Sequence, residues 1–176
     1  LNGDQDFALL GHAGSVIAVA FSPDGTKLAS VSSSEVRIWD VATGQLMRTY
    51  ESEDNVRSLS WSPDGELLAA CINDGHLRVW NSADGKPVVR VKLSIANDAT
   101  VRQLTWHPDG TQLAICSSNA WCLVRRSDWT TTRQHDLDFF QVRDIAWSPD
   151  GETLALADGE TVSLWDPSKE QPKRTL

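Results

Sequence analysis

A chain of 176 residues, 40% hydrophobic, 23% charged and 7% aromatic, has the balance of an ordinary globular protein and the length of one domain or part of one. Its net charge of −8, from 16 Lys and Arg against 24 Asp and Glu, disfavours unspecific attraction to nucleic acid or to anionic membranes. No stretch approaches the roughly 18 apolar residues that cross a bilayer, and the N-terminal LNGDQDFALL lacks the basic start and apolar middle of a secretory leader. Cys71, Cys116 and Cys122 are too few and too irregular for a disulfide framework, which suits a reducing compartment and makes the cytoplasm the expected location.

In chain order, residues 7–10 (FALL) read as a strand already inside a repeat pattern. The segment VIAVAF (16–21) is then a strand of β-branched, small and aromatic residues that runs into Ser22-Pro23-Asp24-Gly25. In that tetrad Pro presets φ, Asp tolerates the next turn position and Gly takes the left-handed one, so the chain reverses into KLASV (27–31). A third strand, EVRIW (35–39), follows, and Thr43-Gly44 turns the chain into LMRTY (46–50).

The same series then returns. The tetrad recurs as Ser62-Pro63-Asp64-Gly65, His107-Pro108-Asp109-Gly110 and Ser148-Pro149-Asp150-Gly151, with the prolines 40, 45 and 41 residues apart. Seven residues before each proline stands a valine (Val16, Val56, Val101, Val142), and just before each tetrad stands Phe21, Trp61, Trp106 or Trp147. VRSLSW, VRQLTW and VRDIAW are the equivalent first strands. LLAAC, QLAIC and TLALA are the second, HLRVW, WCLVR and TVSLW the third, and VVRVKL repeats the fourth. Fourteen or fifteen residues after each tetrad glycine come Trp39, Trp80, Arg125 and Trp165, so the third repeat lacks this Trp. Helix signals are absent.

Three endings, Ile38-Trp39-Asp40, Val79-Trp80-Asn81 and Leu164-Trp165-Asp166, combine with this period into a pattern that resembles the WD40 family of β-propellers. TolB-like propellers share the Ser-Pro-Asp-Gly turn but not the Ile-Trp-Asp ending. The resemblance implies an all-β fold of four four-stranded antiparallel blades, with repeats at about residues 5–44, 45–86, 87–129 and 130–170 and the start of a further strand at 171–176. It also implies a hydrogen-bonded network of His, Ser or Thr, Asp and Trp in each blade. His12, Ser30 and Trp39 match it in the first repeat, Asp74 and Trp80 in the second, Asp158 and Trp165 in the fourth, and no repeat has the full set. Family propellers usually close with more blades than four. The chain therefore reads as part of a ring completed by further blades of a longer chain, by a second copy or by another chain, with closure of four blades alone as the alternative.

Val31, Cys71, Cys116 and Ala157 fall six residues after the tetrad glycines, so Cys71 and Cys116 read as small core residues between blades rather than as redox or metal groups. His12, His76, His107 and His135 fall one per repeat, which argues against a metal, and no cofactor is expected. No GxSxG, HExxH, GxxxxGK[ST] or GxGxxG motif is present, and the tetrad aspartates are explained by turns, so a non-catalytic reading is favoured. The residue after each strand-start valine is Ile17, Arg57, Arg102 or Arg143. Resemblance to WD40 propellers puts these positions on one rim beside the channel, where they would take an acidic or phosphorylated peptide. The bland alternative pairs each Arg with a neighbouring acid. The expected function is a protein-interaction platform with protein or peptide partners. A sensor domain of a larger signalling enzyme, such as a bacterial signalling ATPase or kinase, is the second reading.

Overall fold

The computed structural model describes residues 8–52, 54–96, 100–137, 142–169 and 171–176. Their strands form four separate antiparallel sheets of four strands each, every sheet a simple meander in chain order. The first is β1 (Ala18–Phe21), β2 (Lys27–Ser32), β3 (Glu35–Asp40) and β4 (Leu46–Glu51), and the second β5 (Val56–Trp61), β6 (Leu67–Ile72), β7 (His76–Asn81) and β8 (Pro87–Lys92). The third is β9 (Val101–Trp106), β10 (Gln112–Ser117), β11 (Ala120–Arg125) and β12 (Thr131–Asp136), and the fourth β13 (Val142–Trp147), β14 (Leu154–Asp158), β15 (Thr161–Trp165) and β16 (Pro172–Thr175). A single 3₁₀ turn, Ser94–Ala96, is the one helical element among the described residues.

Each tetrad closes the hairpin between the first two strands. The Gly25 amide donates to Ser22 O at 2.8 Å, the Ser22 hydroxyl donates to Asp24 Oδ1 at 2.6 Å, and the Lys27 amide donates back to Ser22 Oγ at 2.9 Å. Gly25, Gly65, Gly110 and Gly151 all have φ between +70° and +76°, the left-handed value that the turn demands and that glycine adopts without penalty.

The sheets stack through their innermost strands, β1 beside β5, β5 beside β9 and β9 beside β13. In the two middle sheets the second strand is buried on both faces and reads as a near-continuous apolar run: all six residues of β6 and all but the first of β10 are buried. Three apolar clusters fill the gaps. Val31, Ile38 and Tyr50 meet Val56, Leu68 and Trp80 between the first and second sheets. Cys71, Leu77 and Leu93 meet Val101, Leu113 and Cys122 between the second and third. Cys116 and Trp121 meet Val142, Leu154 and Trp165 between the third and fourth. Polar ties cross the same gaps: Trp61 Nε1 donates to Ala20 O at 3.0 Å and Trp106 Nε1 donates to Ser60 O at 3.2 Å.

Several details depart from the strand-by-strand expectation. Val16 and Ile17 precede β1 rather than belonging to it, although the Ile17 amide donates to Val31 O at 2.9 Å. Of the strand expected over 7–10, Phe7 lies outside the described residues and residues 8–10 are not in a strand. Residues 172–175 pair with β15 as the outer strand of the fourth sheet. The position equivalent to Trp39, Trp80 and Trp165 in the third sheet is Val124, not Arg125, because Val124 faces Leu113 just as those tryptophans face Leu28, Leu68 and Leu154.

Candidate functional site

The three arginines Arg57, Arg102 and Arg143 share a backbone feature with a direct consequence for where they point. In each of their strands the ladder with the neighbouring strand skips one residue: pairing passes from Val56 to Ser58, from Val101 to Gln103 and from Val142 to Asp144. Each Arg is therefore the extra residue of a β-bulge, a device that releases one side chain from the pleat and re-aims it. All three are exposed although the preceding valine is buried.

The bulged arginines converge with Ile17, which lies ahead of β1. Ile17, Arg57, Arg102 and Arg143 line one cavity of about 380 Å³, together with Thr100 and Val101. Arg57 Nε donates to Asn73 Oδ1 at 3.0 Å, which fixes that guanidinium. Among the described residues, Arg37, Arg90, Arg125 and Arg126 form ion pairs. Among the described residues no carboxylate pairs with Arg57, Arg102 or Arg143, so the pairing with neighbouring acids that the bland reading required is not seen there. Three unneutralised guanidiniums around one opening can bind a carboxylate or phosphate, and Ile17 adds an apolar contact.

The expected blade network is present in part. His12 Nε2 lies 2.7 Å from Ser30 Oγ, and Trp39 Nε1 donates to the same oxygen at 2.7 Å. Burial, helped by the nearby Arg37 cation, lowers the His12 pKa. Glu35 stands 3.8 Å from His12 Nδ1, beyond hydrogen-bond length, and is engaged by Arg37 at 2.6 Å. In the second sheet Asp74 binds His76 and Arg90 rather than Trp80, at 2.9 and 2.7 Å. Trp80 instead stacks on Tyr50. In the fourth sheet Asp158 and Trp165 are joined through a residue that the sequence reading missed: Ser163 Oγ donates to Asp158 Oδ2 at 2.8 Å and accepts from Trp165 Nε1 at 3.0 Å. Its signal was available, since Ser163 lies two residues before the Trp on the same strand face.

The three cysteines are buried and free. Burial raises all three thiols, Cys116 and Cys122 to about 12, which makes them inert as nucleophiles near neutral pH.

The family profile "WD domain, G-beta repeat" matches residues 3–40, 44–81, 89–124 and 129–166. Among curated proteins, the chain is 39% identical over 75 residues to "Coronin-7" of Mus musculus, a stretch covering 41% of this chain and 8% of that protein. It is 40% identical over 82 residues to "Coronin-like protein" of Saccharomyces cerevisiae, covering 46% of this chain and 13% of that one. It is also 32% identical over 78 residues to "WD repeat-containing protein AAC3" of Dictyostelium discoideum, covering 43% and 16%. The chain thus matches a small part of the length of each of these relatives. Among solved structures, "Kuenenia stuttgartiensis Hydrazine Synthase" superposes with a TM-score of 0.82 at 18% identity, over 97% of this chain and 52% of that chain, a likeness of fold alone.

Proposed function

The chain belongs to the WD40 repeat family, and from that membership we propose that it is a non-catalytic interaction platform whose bulged rim takes an acidic or phosphorylated segment of a protein partner. The observation that carries this reading is the convergence of Arg57, Arg102 and Arg143 on one cavity without carboxylates of their own among the described residues. The surrounding charge of −8 makes such an arc a local exception, and a site of that kind selects an anionic partner by contrast with the surface around it. A cytoplasmic location belongs to the same reading and rests on the three free thiols. So does ring completion by a further blade, because Phe21 is 61% exposed whereas its counterparts Trp61 and Trp106, covered by a preceding blade, are 6% and 5% exposed.

The test is the double substitution Arg102→Ala with Arg143→Ala, measured against a phosphorylated acidic peptide. Loss of affinity by at least tenfold at unchanged melting temperature is the expected result. Undiminished affinity overturns the reading.

A further inference from the structure

A second cavity, of about 470 Å³, lies between the outer strand of the first blade and the third and fourth strands of the second, and shares no residue with the rim. Its aromatic part is Trp80, buried and stacked on Tyr50 with 5.8 Å between ring centroids and 30° between planes. Gly85 permits that stack: a Cβ there would stand 2.6 Å from Tyr50 Cε1, and its φ of +76° already disfavours other residues.

Arg78 sets this cavity apart. Its guanidinium carbon lies 5.3 Å from the Trp80 ring, and its Nε and Nη1 are shut off from solvent with no hydrogen-bond partner among the described residues. The equivalent position in every other blade is resolved differently. Arg37 is bonded to Glu35 at 2.6 Å, Cys122 is buried in an apolar cluster, and Ser163 is bonded to Asp158 and Trp165. Only part of the cost of desolvating those two nitrogens is recovered from the aromatic face, so the charge that half-buried Arg78 presents to the cavity it lines is uncompensated. Arg48, on the opposite wall, likewise has no ion pair among the described residues. Of the two acids on the wall, Asp84 is engaged by Lys86 at 3.0 Å, and Glu51 pairs with neither arginine.

We propose that this cavity is a carboxylate-binding site, taking the side chain of an Asp or Glu in a peptide laid along the outer edge of the first two blades. With Asp84 neutralised by Lys86, the two arginines and Glu51 leave one net positive charge, which a single carboxylate balances, whereas a phosphate dianion would exceed it beside Glu51. Met47, half-exposed on the wall, offers an apolar contact to the residue beside the acid. The site is independent of the rim and stands or falls separately from it.

The experiment is calorimetric titration of the chain with four probes. These are an acetylated, amidated pentapeptide Ser-Leu-Glu-Ser-Gly, its Gln counterpart, the Gln counterpart with a free C-terminal carboxylate, and inorganic phosphate. The Glu peptide is expected to bind at least tenfold more tightly than the other three. Arg78→Leu is expected to lose at least tenfold, and Arg78→Gln serves if the Leu variant does not fold. The rim double variant is expected to bind within twofold of the parent. Equal binding of the Glu and Gln peptides overturns the proposal, as does full affinity in the Arg78 variant. Preference for phosphate or for the free C-terminus, or loss of binding in the rim variant, overturns it equally.

Discussion

At Trp129 the third blade solves locally a problem created by its own sequence. Its amide donates to Arg125 O at 2.9 Å, the same turn bond that Gly44 and Gly85 make to Asp40 and Asn81, and its φ is +58°. A non-glycine residue there costs about 1 kcal/mol or more. The return is packing: the indole meets Trp106 edge-on at 6.3 Å and lies against the cluster containing Val124, which replaces the Trp of the other blades. Burying a large aromatic and making one edge-on ring contact are together worth about 2–4 kcal/mol when complete, and Trp129 is partly buried. Trp129→Gly is therefore expected to lower stability by about 1–2 kcal/mol in denaturant unfolding, despite relieving the backbone; a more stable variant would contradict this balance. A count from the tetrad glycine placed Arg125 in the Trp position because it could not see loop lengths. The offset is fifteen where three residues join β6 to β7, and fourteen where two join β2 to β3, β10 to β11 and β14 to β15. The turn aspartates make a second residue-level prediction. Hydrogen bonds from Ser22 and Thr26 hold Asp24 at about 2. At Asp64 burial opposes the charge, but bonds from Ser62, Arg126 and the Glu66 amide outweigh it and also bring the value to about 2. Both lie below the unfolded range near 4, so the stability they contribute is complete above that range and is lost as pH falls from about 4 towards 2. Melting temperature followed across that interval should drop, and less so in Asp64→Asn. An unchanged slope in that variant would remove the argument.

At the scale of the element, each blade is held by its own combination of polar contacts, and the sequence showed which residues were available better than it showed who bonds to whom. Strand order and hairpin position were legible because the tetrads fix four turns and short apolar runs flank them. The bulges were not, since an extra residue in a ladder changes no residue type; yet they turn the three rim arginines outward. His12, Ser30 and Trp39 were legible as a set, whereas Ser163 was overlooked, because the family pattern places the Ser on the second strand and Ser163 sits on the third. Ser30→Ala leaves the buried Trp39 Nε1 and His12 Nε2 without their shared oxygen. The expected cost is about 1–3 kcal/mol in equilibrium unfolding. Ser163→Ala should cost a similar amount through Trp165 and Asp158. A change within experimental error in both variants would show that packing alone holds these blades.

At the scale of the molecule, four blades stack into an array whose interior gaps are closed and whose first face is apolar. Val19 and Phe21 are 60% and 61% exposed there. The repeat number was legible from the tetrads, but what covers that face was not, because a blade that covers and a blade that is covered have the same sequence signature. The contrast is measurable. Trp61→Ala should cost about 3–5 kcal/mol, the usual range for a buried aromatic, while Phe21→Ala should cost less than about 1 kcal/mol if its face is open in this chain. Comparable costs would mean that the face is covered in solution. The rim depends on the stack as a whole, since its four residues come from four different repeats. Its role is tested most directly by observing the arginine Nε–H resonances during titration with a phosphorylated acidic peptide. The account predicts that Arg57, Arg102 and Arg143 shift together and saturate at one affinity that weakens with added salt, while Arg125 and Arg126, already paired to carboxylates, stay in place. Shifts confined to another surface, or none on the rim at saturating peptide, would contradict it.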